Sequence, residues 1–153
     1  MTREDIFYQL IESIYDVSRS TSLYESVPRT YGTDDELYMV EAHTINLIGE
    51  KVHTNTSELA KLTNKTKSAI SQMVDKLLKK DLVLKNKNPT NSRETIIELS
   101  EKGKQAYQYH KELDKTEYAL ILDRLDQYST EDFIKFIEIA SIVNDNIKKS
   151  IKK

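Results

Sequence analysis

The chain has 153 residues, 31% charged and 38% hydrophobic, with a formal net charge of −2 and no cysteine. That length and balance suit one globular domain with or without a helical appendage, and the lack of cysteine excludes disulfides, thiolate metal sites and thiol redox sensing. No apolar run approaches the roughly 18 residues of a membrane span, and Met1-Thr2-Arg3-Glu4-Asp5 opens no signal-peptide pattern, so a cytoplasmic protein with no membrane partner is expected.

Glycine and proline are scarce, three and two, so long helices should dominate. The first helix is predicted over about 2–22, with Ile6, Leu10, Ile14 and Val17 at helical spacing. A connector over 25–33 contains Pro28 and Gly32. Asp34 or Asp35 is then expected to cap a second helix carrying Leu37, Val40, Thr44, Leu47 and Ile48, which stops at Gly49. Asn55-Thr56-Ser57-Glu58 offers cap acceptors and an acidic first turn for a short helix with Leu59, Ala60 and Leu62 inside. Thr63-Asn64-Lys65 reads as a tight turn in which Asn64 takes a left-handed conformation. Thr66 caps the next helix, to about Lys80, whose inner stripe is Ile70, Met73/Val74 and Leu77. Leu82-Val83-Leu84 and Thr95-Ile96-Ile97-Glu98-Leu99 are strands flanking a polar, turn-rich segment, which makes a hairpin with a long tip. Ser100 opens a long helix through Ala106, His110, Leu113, Leu120 and Leu125; Ser129-Thr130-Glu131-Asp132 caps a final one, with Phe133, Phe136/Ile137, Ala140, Val143, Ile147 and Ile151 at three-four spacing.

Charge is distributed unevenly. Residues 51–104 hold twelve Lys/Arg against six Asp/Glu, a balance of +6, and the remainder holds eleven against nineteen, −8. A basic middle between acidic ends suggests one module facing a polyanion and another holding a dimer. A short helix, a tight turn, a basic helix and a hairpin, in that order, make a winged helix-turn-helix. The basic helix must present short polar groups to base edges while its other face stays anchored. Thr66, Lys67, Ser68, Ser71, Gln72 and Lys76 lie away from the apolar stripe. Ser, Thr and Gln reach base edges in the major groove, whereas Lys65, Lys67 and Lys76 suit phosphates. The hairpin adds Lys85, Lys87 and Arg93, an arginine on a loop tip being suited to a narrow minor groove.

From about Leu37 to Gly103 the chain resembles the MarR family of bacterial regulators. Ser57-Glu58-Leu59-Ala60, Thr66-Lys67-Ser68-Ala69-Ile70-Ser71 and Asp75-Lys76-Leu77 follow the helix-turn-helix pattern of that family. Asn88-Pro89-Thr90-Asn91-Ser92-Arg93, running into Ile96-Ile97-Glu98-Leu99-Ser100-Glu101-Lys102-Gly103, is similar to its wing. There the family has Asp-x-Arg and then a strand ending in Leu-Thr-x-x-Gly. Three residues depart from the pattern: Asn91 for the wing Asp, Asp81 for the glycine ending the recognition helix, and Ser100 for Thr.

The resemblance implies a mainly α fold with a small β-hairpin wing, and long N- and C-terminal helices that hold a homodimer. Residues 1–33 and 101–153 would form the dimerisation region and 34–100 the DNA-binding domain, with a recognition helix at about 66–80 and a wing at about 82–99. The expected partner is double-stranded DNA, contacted by Lys65, Thr66, Lys67, Ser68, Ser71, Gln72, Lys76, Lys87, Asn91 and Arg93. The expected role is repression of an operator, relieved by a small-molecule effector in a pocket involving Tyr15, His43 and His110. No cofactor is expected. Glu25, His43, His110 and Asp114 form a weaker, metal-binding alternative: His110 and Asp114 stand one turn apart on one helix, and zinc-sensing relatives place ligands in similar regions. A winged helix that binds protein, such as an antirepressor, is the other alternative. An enzyme is not expected, because no phosphate loop, nucleophile elbow or His-Glu-x-x-His motif occurs.

Overall fold

A computed structural model describes residues 1–151. Its elements run α1 (Arg3–Glu25), β1 (Arg29–Thr30), β2 (Glu36–Leu37), α2 (Met39–Lys51), β3 (His53–Thr54), α3 (Thr56–Thr63), α4 (Lys67–Lys79), β4 (Val83–Lys87), β5 (Thr95–Leu99), α5 (Glu101–Arg124) and α6 (Thr130–Ile151). The mainly helical winged helix-turn-helix expected from the sequence is present. The chain divides into two units: residues 1–20 with the described residues from Thr116 onward, and Thr21–Lys115.

The second unit contains the core. Leu37, Ile45, Ile48, Leu59, Ile70, Val74, Leu77, Leu82, Val83 and Ile97 are each no more than 1% exposed. Four elements therefore meet there: α2, α3, α4 and an antiparallel sheet of order β3-β5-β4. In that sheet His53 faces Glu98 and Thr54 faces Ile97 on one side of β5, while Val83 faces Leu99 and Lys87 faces Thr95 on the other.

Two local expectations need correction. Neither Asp34 nor Asp35 caps the second helix. The chain first makes a small hairpin, β1 against β2, with Gly32 at φ +70 in its turn. The helix begins at Met39, where the Glu41 carboxylate reaches back 2.9 Å to accept the Tyr38 N–H. Leu37 consequently enters the core from a strand, and the helix runs past Gly49 to Lys51. The other correction is β3, a two-residue strand after α2 whose brevity leaves no periodicity to detect.

The first unit has a different character. Among the described residues none of its side chains is buried. Phe7, Phe136, Ile137, Leu120, Ile142 and Ile147 are all at least one-third exposed. Tyr15, Ile11, Ile142 and Ile147 line an open cleft of about 600 Å³ between α1 and α6. The break before α6 is a reciprocal cap: Ser129 Oγ accepts the Asp132 N–H at 3.2 Å, and Asp132 Oδ2 accepts the Ser129 N–H at 2.9 Å.

The junction from wing to α5 accounts for the Leu99-Ser100-x-x-Gly103 pattern. Ser100 Oγ donates to the Asp81 carbonyl at 2.5 Å and accepts the Gly103 N–H at 2.9 Å. This draws the start of α5 onto the turn after α4, so that a Cβ on Gly103 would stand 1.9 Å from the Leu82 carbonyl oxygen. Backbone cannot yield as a side-chain end can. Gly103→Ala is expected to cost about 3 kcal/mol of folding stability, measured by urea unfolding; a loss below about 0.5 kcal/mol would mean the junction tolerates a Cβ.

Candidate nucleic-acid interface

Each end of α4, the helix expected to read DNA, is set by its backbone conformation and capping bonds. At its start Thr66 is extended (φ −73, ψ 152) and its hydroxyl accepts the Ala69 N–H at 3.1 Å. The turn before it closes because Asn64 adopts the left-handed conformation, φ 53 and ψ 40, which its short amide tolerates. At the other end Asp81 has φ 56, the position where the family pattern has glycine. The Leu82 N–H reaches the Leu77 carbonyl and the Asp81 N–H the Leu78 carbonyl, both at 3.0 Å, which terminates the helix. Asp81 thus takes glycine's conformation.

Ile70, Val74 and Leu77 are buried, so the opposite face of α4 is turned outward. Lys65, Thr66, Lys67, Ser68, Ser71, Gln72 and Lys76 are exposed, and on the wing so are Lys87, Asn91 and Arg93. All ten residues named from the sequence are therefore at the surface of the second unit. Lys65, Lys67, Lys76, Lys87 and Arg93 form no ion pair among the described residues. Lys85 differs: its Nζ lies 2.7 Å from Asp75 Oδ1, so its charge offsets the one carboxylate of α4 and ties the helix to β4. Asn91 does not hold the Arg93 guanidinium. Its Oδ1 accepts the Arg93 backbone N–H at 3.2 Å, shaping the loop instead.

An ion pair buried at its carboxylate end anchors the C-terminal end of α4. Lys80 Nζ lies 2.8 Å from Glu41 Oε1 and donates to the Glu36 carbonyl at 2.9 Å. Glu41 is 3% exposed. Lys102 extends the tie, donating to the Lys80 carbonyl at 3.0 Å and pairing with Asp35 at 2.7 Å. These links join positions tens of residues apart, and no local spacing reveals them. At α3 the N-cap is Asn55, whose Oδ1 accepts the Glu58 N–H at 2.8 Å. The Thr54 hydroxyl, 2.6 Å from Glu58 Oε2, holds that carboxyl below the usual carboxylate range.

The residues named for an effector or a metal have different surroundings. His43 is exposed and lines a cleft of about 370 Å³ with Leu62, Lys65, Gln72, Met73 and Lys76. His110 is 4% exposed, its Nδ1 lying 2.7 Å from Asn46 Nδ2 and 3.2 Å from Asp114 Oδ2, with the Tyr31 ring centroid 5.0 Å away. Asn46 Oδ1 is buried without a hydrogen-bond partner. Tyr31 is itself buried, which raises its hydroxyl above the usual phenol range. Tyr15 lines the α1–α6 cleft, and Glu25 is exposed at the end of α1. Only His110 and Asp114 come together. Among the described residues no three His, Asp or Glu side chains gather in one place. No described helix is long and apolar enough to cross a membrane.

The MarR family model matches residues 37–95, from β2 to the start of β5. The HTH-type transcriptional regulator PchR of Bacillus subtilis (strain 168) is 26% identical over 103 residues, 65% of this chain and 61% of that protein. The chain thus spans about three-fifths of that curated relative's length. Two solved structures share the fold. The zinc-responsive MarR family member ZitR of Lactococcus lactis has a TM-score of 0.73 at 12% identity, covering 93% of this chain and 99% of its own. FabT of Streptococcus pneumoniae, solved in complex with DNA, has a TM-score of 0.72 at 17% identity, covering 94% of this chain and 98% of its own.

Lys80→Met would leave the Glu41 carboxylate buried with one backbone donor. The expected loss is about 2 kcal/mol, below the 3–5 kcal/mol of fully buried pairs, because the Lys80 side chain is 30% exposed. Urea unfolding measures it, and a loss under about 0.5 kcal/mol would show that the pair is not an anchor.

Proposed function

We propose that this chain, a member of the MarR family, is a transcriptional regulator that binds a pseudo-palindromic operator as a homodimer and represses the adjoining gene. The observation that carries the reading is the outward face of α4. Its buried stripe leaves Ser68, Ser71 and Gln72 directed away from the core, flanked by exposed lysines that form no ion pair among the described residues. Such a face matches a major groove, with hydroxyls and an amide for base edges and cations for phosphates. Arg93 on the wing suits the adjacent minor groove.

Dimerisation is supported by the first unit. Its lack of any buried described side chain, together with exposed Phe7, Phe136, Ile137 and Ile142, leaves apolar surface that a second copy would cover. Two recognition helices then read half-sites one DNA turn, roughly 34 Å, apart. A dimer seated across two successive major grooves denies that DNA to polymerase, which is the basis for repression. Relief by a small molecule is supported by the cleft beside His43. Gln72 and Lys76 form part of its wall, so a molecule there competes with DNA for both.

Anisotropy of a labelled duplex from the DNA upstream of the coding sequence, against a scrambled duplex, tests the reading across a salt series. If Lys65, Lys67, Lys76 and Lys87 of both protomers all meet phosphate, log affinity should fall with log salt at a slope approaching about −7. Equal, salt-insensitive binding to both duplexes would instead indicate a winged helix that binds protein. Gln72→Ala is expected to lower the preference for the native duplex about tenfold, with little change on the scrambled one; equal losses on both would remove Gln72 from base reading.

A further inference from the structure

Glu94 is the residue after the wing arginine, immediately before β5. A carboxylate there faces the same polyanion that Arg93 would meet, and on charge alone it opposes binding. Its surroundings give it another task. Glu94 Oε1 accepts from Asn55 Nδ2 at 2.5 Å, and Glu94 Oε2 accepts from Asn88 Nδ2 at 2.6 Å. Both amides are oriented by other bonds. Asn55 Oδ1 is occupied by the Glu58 N–H at the start of α3, and Asn88 Oδ1 by the Thr90 N–H and hydroxyl. Each therefore turns its NH₂ group to the same place, which needs a side chain with two acceptor oxygens. Glutamate has two; glutamine has one acceptor and would bring a donor toward a donor. The backbone closes at the same residue, since the Asn88 N–H donates to the Glu94 carbonyl and the Glu94 N–H to the Asn91 carbonyl, both at 2.9 Å.

We propose that Glu94 is a positioning residue that clamps the wing tip to the N-terminus of α3 and so sets where Arg93 is presented. The clamp does for this chain what Asn91 does not, because the Asn91 amide reaches only the Arg93 backbone. The inference rests on the DNA-binding reading for its consequence but not for its structure, and the two are tested separately.

Hydrogen exchange of the free full-length protein tests the structure. Glu94→Ala should speed exchange of the wing amides over 88–94 about tenfold relative to the wild type while leaving α4 and α6 unchanged; equal protection overturns the clamp whether or not the protein binds DNA. Binding to the labelled native duplex tests the consequence. Glu94→Ala should weaken binding about tenfold, Glu94→Gln by less, and Glu94→Ala should add under about twofold in an Arg93→Ala background, because both changes remove one contact. Tighter binding by Glu94→Ala would mean that the residue acts through its charge alone and would overturn the positioning role. Asn55→Ser keeps an N-cap oxygen but lacks the amide donor. It should reproduce part of the Glu94→Ala effect and add nothing to it, which keeps the test open if Glu94→Ala folds poorly; full additivity of the two would overturn the clamp.

Discussion

The burial of Ile70, Val74 and Leu77 is the constraint on which the candidate interface depends. These three residues occupy one stripe of a 13-residue helix, so their insertion into the core fixes the helix's rotation about its own axis. Each fully buried aliphatic side chain contributes roughly 1.5–3 kcal/mol relative to exposure, which makes any rotation that withdraws the stripe unfavourable by several kcal/mol. Once rotation is fixed, the positions of Ser68, Ser71, Gln72 and Lys76 follow from helical geometry alone. The hydrophobic effect thereby determines which polar groups face outward, although none of them takes part in it.

Apolar packing sets rotation better than it sets the ends of an element, and polar links act there. Thr66 and Asn64 define the entry to α4 through local bonds. Asp81, Lys80, Glu41 and Lys102 define its exit through bonds between distant parts of the chain. The wing is tied at two places: Lys85 to Asp75 of α4, and Glu94 to Asn55 of α3. Carboxylates within a basic module proposed to meet DNA are unfavourable on charge alone. Asp75 is offset by a lysine, and Glu94 accepts from two amides, so each has a structural partner. A single glycine, Gly103, allows α5 to begin against the turn that ends α4, and this couples the wing to the long helix that leaves the unit.

The two units differ in what they can do alone. Thr21–Lys115 buries a continuous apolar cluster of its own, whereas the described residues of the other unit bury nothing fully. Isoleucine and phenylalanine left on long helices are the usual mark of surface awaiting a partner.

Features with a short-range signature were legible in the amino-acid sequence. The caps at Asn55, Thr66 and Ser129, the left-handed Asn64, the inner stripe of α4, the hairpin strands and the outward set of polar and basic residues all follow from neighbours within a few positions. For them the governing physics is local: backbone donors at helix ends, steric limits on φ, and the 3.6-residue period. The start of α2 is not legible in the same way: Asp34 and Asp35 look like caps, yet Asp35 is drawn to Lys102, and Glu41 closes the helix end instead. The surroundings of the histidines depend on packing, which buries His110 and leaves His43 exposed. What the sequence determined by itself is therefore the helices, the two strands of the wing and the faces these present. Only tertiary structure decided which charged side chains stay free for a ligand and which are held, as Lys85, Lys80 and Glu94 are, because their partners lie on elements brought close only when the core forms.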